Sequence, residues 1–332
     1  MQPPSPIAPP PAYEGVVFGA GGCRCFWQAG FWSVVQPALD LRPRVIGAVS
    51  AGAAIACAAS LGCIDAVLES MKRRTAANAR NLHPGNWRRG EPVFPHERIY
   101  RETILEHLGG SAIERIHAGP DIRVLLSHPP AWLGARSSLP LALVAHGLER
   151  LTRRDRPHAI WGRRLGFRGE AISVRRCRTA EELGELILQS SCTPPLTPHY
   201  RRDGRAILDG GLVDGAPAAL VRESASSLIL IPRHLPASRL PRRPGRTYVV
   251  PSRPVPIDVW DYTSPERLQQ TFDLGRRDGE AFAEAAYASA ARELAQQAPG
   301  RFEERRRSAF GSRGLGDDLL LGGDPQAGAR VG

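Results

Sequence analysis

The chain has 332 residues, 42% of them apolar, and a formal net charge of +11. That apolar share excludes a globally disordered chain, and no run is long enough to span a membrane as a helix, Gly47–Gly62 being too short and too rich in small residues. Lys72 is the only lysine, and the arginine clusters are scattered without an RNA-binding aromatic motif or zinc finger. Nucleic acid is therefore not an expected partner, and compositional bias accounts for the charge as well as an anionic lipid surface does.

In chain order, residues 1–12 are proline-rich and lack the basic and apolar regions of a secretory signal, so they predict an extended, disordered arm. Gly15–Phe18 reads as a buried strand ended by Gly19–Gly22, and Phe26–Val35 as a helix broken at Pro37. Arg44–Val49 is a second strand and Ala51–Leu61 a tightly packed helix. Two such β-α units in succession predict a parallel α/β sheet. Asp65–Ala79 and His96–Leu108 read as helices, Ile122–Ser127 as a strand, and Leu139–Leu151 as a helix. Arg153–Arg168 is basic, carries Trp161 and Phe167, and reads as an exposed excursion. Strands at Ala171–Arg176 and Ala206–Leu208 flank a helix at Ala180–Ser190, and Ser227–Ile231 and Thr247–Val250 complete a set of about six strands. Ser264–Gln297 reads as a long helix or helix pair with Gly275 and Gly279 as soft points. Residues 299–332 are charged, then glycine-rich, and predict a disordered tail, leaving 13–298 as the catalytic domain.

Three motifs carry chemistry. In RVIGAVSAGAAIA a strand meets a helix at Ser50, with small residues Ala48 and Gly52 letting the two approach while the hydroxyl is forced outward. A serine that only caps a helix reads the same way locally. Gly19–Arg24, with Gly21, Gly22, Cys23 and Arg24, is a glycine-rich loop whose N–H groups can converge on an oxyanion. It lacks the sixth-position glycine of a dinucleotide loop and the Gly-Lys-Ser/Thr of a P-loop. Asp209, followed by Gly210 and Gly211, stands at a strand end with no side chain shielding it, although Asp-Gly is also a common hairpin turn. Cys23 and Cys25 have no second pair, so no metal or other cofactor is expected, and the six cysteines read as the reduced thiols of a cytoplasmic protein.

Jointly and in this order the three motifs resemble the patatin-like phospholipase family. The run Ser190–Pro198 and the segments Val249–Pro254 and Asp273–Arg276 are similar to family segments too, so the resemblance spans about Gly15 to Ala290. It implies a three-layer α/β fold with a central, mostly parallel sheet flanked by helices. It also implies a serine lipid acyl hydrolase in which Ser50 attacks an ester and Asp209 takes its proton. The oxyanion loop would be Gly21, Gly22, Cys23 and Arg24, with Arg24 orienting the loop or facing a phosphate. Ala48, Gly52, Gly210 and Gly211 would support the two catalytic turns. The chain departs from the family pattern at Ala20, Cys25, Ala48 and Gly215, and a side chain at Cys25 is expected to crowd the loop.

Two rival readings stand beside this one. A silent lipid-binding or scaffolding protein on the same fold would explain the altered glycines. An α/β-hydrolase would need a histidine such as His199 or His234, yet only one strand precedes the serine turn, where that fold has several. The protein is expected to be cytoplasmic and to meet an anionic membrane peripherally, with Trp161 and Phe167 entering the headgroup layer.

Overall fold

The computed structural model describes residues 12–310 except 109–110, 131, 134–139, 143, 146, 149–157 and 159. The larger of two compact units is Pro10–Ala286, and all that follows concerns it unless stated. Its strands are β1 (Gly15–Phe18), β2 (Val45–Val49), β3 (Asp121–His128), β4 (Arg168–Ser173), β5 (Tyr200–Arg202), β6 (Arg205–Asp209), β7 (Ser227–Leu230) and β8 (Arg246–Val249). They form a mixed, mostly parallel sheet in the order β5-β6-β3-β2-β1-β7-β8, with β4 also paired to β3. Pairs β1-β2, β1-β7, β2-β3 and β7-β8 are parallel. Strands β4, β5 and β6 pair antiparallel.

The helices are α1 (Phe26–Ala38), α2 (Ala51–Leu61), α3 (Ile64–Ala76), α4 (His96–Leu108), α5 (Ala112–Ala118), α6 (Trp161–Arg164), α7 (Ala180–Ser190) and α8 (Pro265–Phe310). α2 stops where Gly62 takes the left-handed conformation, φ 67°, that a side chain disfavours. α7 starts at Thr179, whose hydroxyl accepts from Glu182 N–H while Glu182 accepts from Arg178 N–H. The β5-β6 hairpin turns on Asp203-Gly204, both at positive φ, as a two-residue hairpin loop requires.

Side chains alternate across the sheet and bury on two unequal faces. Val16, Phe18, Ile46, Ala48, Ile122, Val124 and Leu228 join the large core made with α1–α5, α7 and α8. Val17, Val45 and Ile229 face the short helical turn Ala218–Val221, and Leu208 faces Phe167 and Val213. Both faces are thus covered by helical segments around a central sheet.

Several boundaries differ from the sequence reading. β4 lies three residues earlier than expected, because Val174–Arg176 is a 3-10 turn. The arginine-rich β5 and the short α5 carry little apolar signal and were not anticipated. Gly275 and Gly279 are not soft points. α8 runs through both, and a methyl on Gly275 would sit 2.1 Å from Trp27 O, so these glycines let α8 pack on α1. α8 also continues past Pro299 to Phe310, where the tail was expected to begin. The arm 1–11, the tail 311–332 and much of Leu139–Arg168 lie outside the described residues. No described helix is long and apolar enough to cross a membrane.

Candidate active site

β3 assembles the site. It pairs with β2 through Asp121–Leu125, with β4 through Arg123–His128, and with β6 through Leu126 and Ser127. The β4 range overlaps both of the others, so β2 and β6 must share the opposite edge of β3, end to end. Val49 opposes Leu125 and Asp209 opposes Leu126, so Ser50, the next residue after Val49, arrives beside Asp209.

Ser50 makes the turn at φ 55°, ψ −137°, a conformation that costs a non-glycine residue of order 1 kcal/mol or more and persists only where surroundings impose it. Gly52 imposes it in part, since a methyl there would sit 2.5 Å from the carbonyl oxygens of Phe18 and Gly19. Ser50 N–H donates to Ser190 Oγ at 2.8 Å, and Ser190 Oγ donates to Leu125 O at 2.8 Å. The elbow is therefore tied to β3 through α7.

Ser50 Oγ donates to Asp209 Oδ2 at 2.6 Å. Asp209 N–H donates to Cys192 O at 2.7 Å, and its Oδ1 accepts from Gly211 N–H at 2.7 Å. Gly210 must be glycine, because a methyl there would lie 2.2 Å from Leu125 O. Both residues are almost fully buried, Ser50 at 6% exposure and Asp209 at 9%. Burial pushes the Asp209 carboxyl up to about 6, against the opposing pull of hydrogen bonds from Ser50 and Gly211. The result is a carboxylate still ionised at neutral pH yet a better base than an exposed one.

The glycine-rich loop approaches this pair from β1. Its predicted donors divide into two groups. Cys23 N–H donates to Val259 O at 3.1 Å and Arg24 N–H to Gly21 O at 3.1 Å, so neither is available for an oxyanion. Gly21 and Gly22 N–H make no hydrogen bond among the described residues, and both residues line the groove that holds Ser50 and Asp209. Gly22 sits at φ +54°, and a methyl there would lie 2.2 Å from Val259 O. The Arg24 side chain donates to Ile257 O at 3.0 Å and pairs with Asp258 at 3.1 Å. It clamps the loop to the 257–259 segment.

The departures from the family pattern fit without crowding. Cys25 is buried, with Sγ 3.5 Å from Gly19 O and turned into the core, so the expected clash is absent. Ala48 is fully buried opposite Phe18 and Val124 in the sheet. Ala20 packs beside Val49, Leu125 and Leu220.

Asp209 and Ser50 have no histidine partner among the described residues. His234 Nδ1 meets Pro251 O at 2.8 Å, and His199 is exposed. His96 lines the groove, but its Nε2 meets Trp260 O at 3.1 Å.

Two positioning residues escaped the sequence reading. Ser190 stood only in a run of small residues. Gln28, fully buried, donates through Nε2 to Gly19 O at 3.1 Å and Leu230 O at 3.0 Å, tying the glycine-rich loop to β7. A glutamine amid the apolar face of α1 was its one available signal. The groove itself encloses about 1090 Å³ and mixes apolar Leu82, Phe94 and Trp260 with Arg267 and Asp261.

The sequence matches the family model described as patatin-like phospholipase over residues 16–222. No curated protein matches it. Among solved structures, VipD from Legionella pneumophila is similar at 11% identity and a TM-score of 0.39, over 83% of this chain and 67% of that one.

Proposed function

The chain belongs to the patatin-like phospholipase family, whose model covers well over half of it, and from that premise we propose a lipid acyl hydrolase with Ser50 as nucleophile and Asp209 as base. The observation that carries this reading is the 2.6 Å hydrogen bond from Ser50 Oγ to a carboxylate that burial has made more basic. In the first half-reaction Asp209 takes the hydroxyl proton as Ser50 Oγ bonds to the ester carbonyl carbon. The oxyanion that forms lies within the reach of Gly21 and Gly22 N–H, beside the positive end of α2. The intermediate collapses, the alkoxide leaves with the proton held by Asp209, and an acyl-serine remains. Water, losing its proton to Asp209, then attacks the acyl-serine, and the carboxylic acid departs as Ser50 recovers its proton.

A silent scaffold would not need a buried carboxylate aimed at a strained serine, because both features cost stability. The test is labelling with a fluorophosphonate, together with ester hydrolysis, in wild type, Ser50→Ala and Asp209→Asn. Ser50→Ala should not label, and each variant should lose about three orders of magnitude or more in turnover. Full activity in either folded variant would sink the dyad.

The proposal includes peripheral contact with an anionic membrane, on other residues than the sequence indicated. Phe167 is 3% exposed in a core cluster, and Trp161 is part-buried under the Arg164 guanidinium at 5.3 Å. Trp87, by contrast, is 80% exposed and is followed by Arg88 and Arg89. Such a ring with adjacent cations suits the headgroup layer. Trp87→Ala should weaken sedimentation with anionic vesicles, and wild-type binding should fall as salt rises. Equal, salt-insensitive binding of wild type to neutral vesicles would remove this part of the proposal.

A further inference from the structure

A second, narrow cavity borders the glycine-rich loop and shares Gly22 with the groove. We infer that it is the channel for the substrate's acyl chain and that its floor limits the length of chain hydrolysed; this rests on the hydrolase reading above.

The walls identify the occupant. One wall is α2, which presents Ala51, Ala54 and Ala58 to the cavity. These are spaced by three and four residues, so they lie on one helical face. Ala51 and Ala54 are only half-buried although the helix is packed inside the molecule, because this face borders open space. The opposite walls are Val67 and Met71 of α3 and Tyr100, Ile104 and Leu108 of α4. The space is about 40 Å³ as traced by the centre of a water molecule. That is room for water, but ordered water needs two or more polar partners. Most of the lining is hydrocarbon, and the Thr103 hydroxyl on it is already donated to Ile99 O at 2.8 Å, while Tyr100 Oη and His107 Nε2 are buried there without a hydrogen-bond partner among the described residues. An apolar chain satisfies the faces built by Ala51, Ala54, Ala58, Val67, Met71, Ile104 and Leu108, which offer water no partner.

The position identifies which part of a substrate enters. Gly22 lines both the groove and the cavity, and Cys23, Cys25 and Ala51 line the cavity with it. Ala51 directly follows the nucleophile. A carbonyl held at Ser50 with its oxygen toward Gly21 and Gly22 therefore has its acyl substituent next to the cavity mouth, while the groove is left for the alcohol portion and for water. Any side chain at position 22 would meet Val259, so the loop that borders both spaces requires glycine there.

The length follows from α2. Ala51 to Ala58 covers seven residues, or about 10 Å along the axis. That is about two thirds of the depth of one leaflet of a bilayer's hydrocarbon core. Along α4 the lining likewise runs two turns, from Tyr100 to Leu108. Acyl chains of medium length fill this channel, and those of full membrane length overrun it.

The experiment measures kcat/KM on the p-nitrophenyl esters of acetate, octanoate and palmitate. Wild type should prefer octanoate to acetate by about tenfold or more, since each buried methylene adds to binding, and should prefer it to palmitate. Ala54→Leu fills the channel midway and should bring the octanoate-to-acetate ratio down toward one. Leu108→Ala deepens the floor and should raise palmitate relative to octanoate, which decides the matter if Ala54→Leu does not fold. A wild type without the octanoate preference, or folded variants that leave both ratios unchanged, would overturn the channel. If acetate hydrolysis survives in Ser50→Ala, the hydrolase reading fails instead, so the two failures are distinguishable.

Discussion

The two turns that meet at the site hold their reactive groups in opposite ways. At the end of β2 the backbone carries the cost, since Ser50 sits at φ 55° with Gly52 wedged against β1. At the end of β6 the backbone is relaxed, Asp209 having φ −50° and ψ 128°, and the cost is electrostatic, a carboxylate taken out of water. A nucleophile needs exposure of one atom in a fixed direction, which sharp backbone geometry provides. A base needs a raised proton affinity, which desolvation provides. Each cost can be removed separately, and that separability can be measured.

The largest effect belongs to the carboxylate. Its proton affinity is higher in the folded than in the unfolded chain, so folding binds protons as the pH falls. The contribution of Asp209 is therefore neutral below about pH 4, becomes destabilising as pH rises through about 6, and is constant above. Asp209→Asn should be the more stable protein at pH 7, by up to about 3 kcal/mol, with the two denaturation curves converging near pH 4. Wild-type hydrolysis should rise through about pH 6 and level off above it. Stability curves that stay parallel across this range would place the burial cost elsewhere.

Next is the strap between the two halves. Ser190→Ala leaves Ser50 N–H and Leu125 O without their partner, and should destabilise by about 2 kcal/mol while lowering kcat more than it raises KM. A change in stability alone, with kcat intact, would reduce Ser190 to an ordinary core hydrogen bond. Smallest is the backbone term. Ser50→Gly should be more stable than Ser50→Ala by about 1 kcal/mol, because both lack the hydroxyl and only glycine relaxes at positive φ. Unlike the carboxylate term, that difference should be independent of pH. Equal stabilities would mean the elbow is not strained.

Much of this was legible in one dimension. Ala51–Leu61, His96–Leu108 and Ala180–Ser190 stand in the structure with the bounds read from the sequence, and β1, β2 and β6 fall where short apolar runs meet glycine, serine or aspartate. The failures have physical causes. β5 is an exposed, arginine-bearing hairpin arm whose existence depends on pairing with β6 rather than on burial. Gly275 and Gly279 read as breaks because a close helix crossing gives glycine the same local signature as a weak point.

The sequence by itself determined which residues can occupy a strand-to-helix elbow, a glycine loop and an aspartate turn, because those are local matters of side-chain size and backbone freedom. Only the tertiary structure decided that Ser50 and Asp209, 159 residues apart, meet on adjacent positions of β3. It also decided that Cys23 and Arg24 N–H are committed while those of Gly21 and Gly22 have no partner among the described residues. Proton affinity, donor availability and the cavity beside Gly22 are properties of what surrounds a group, and distant segments supply those surroundings.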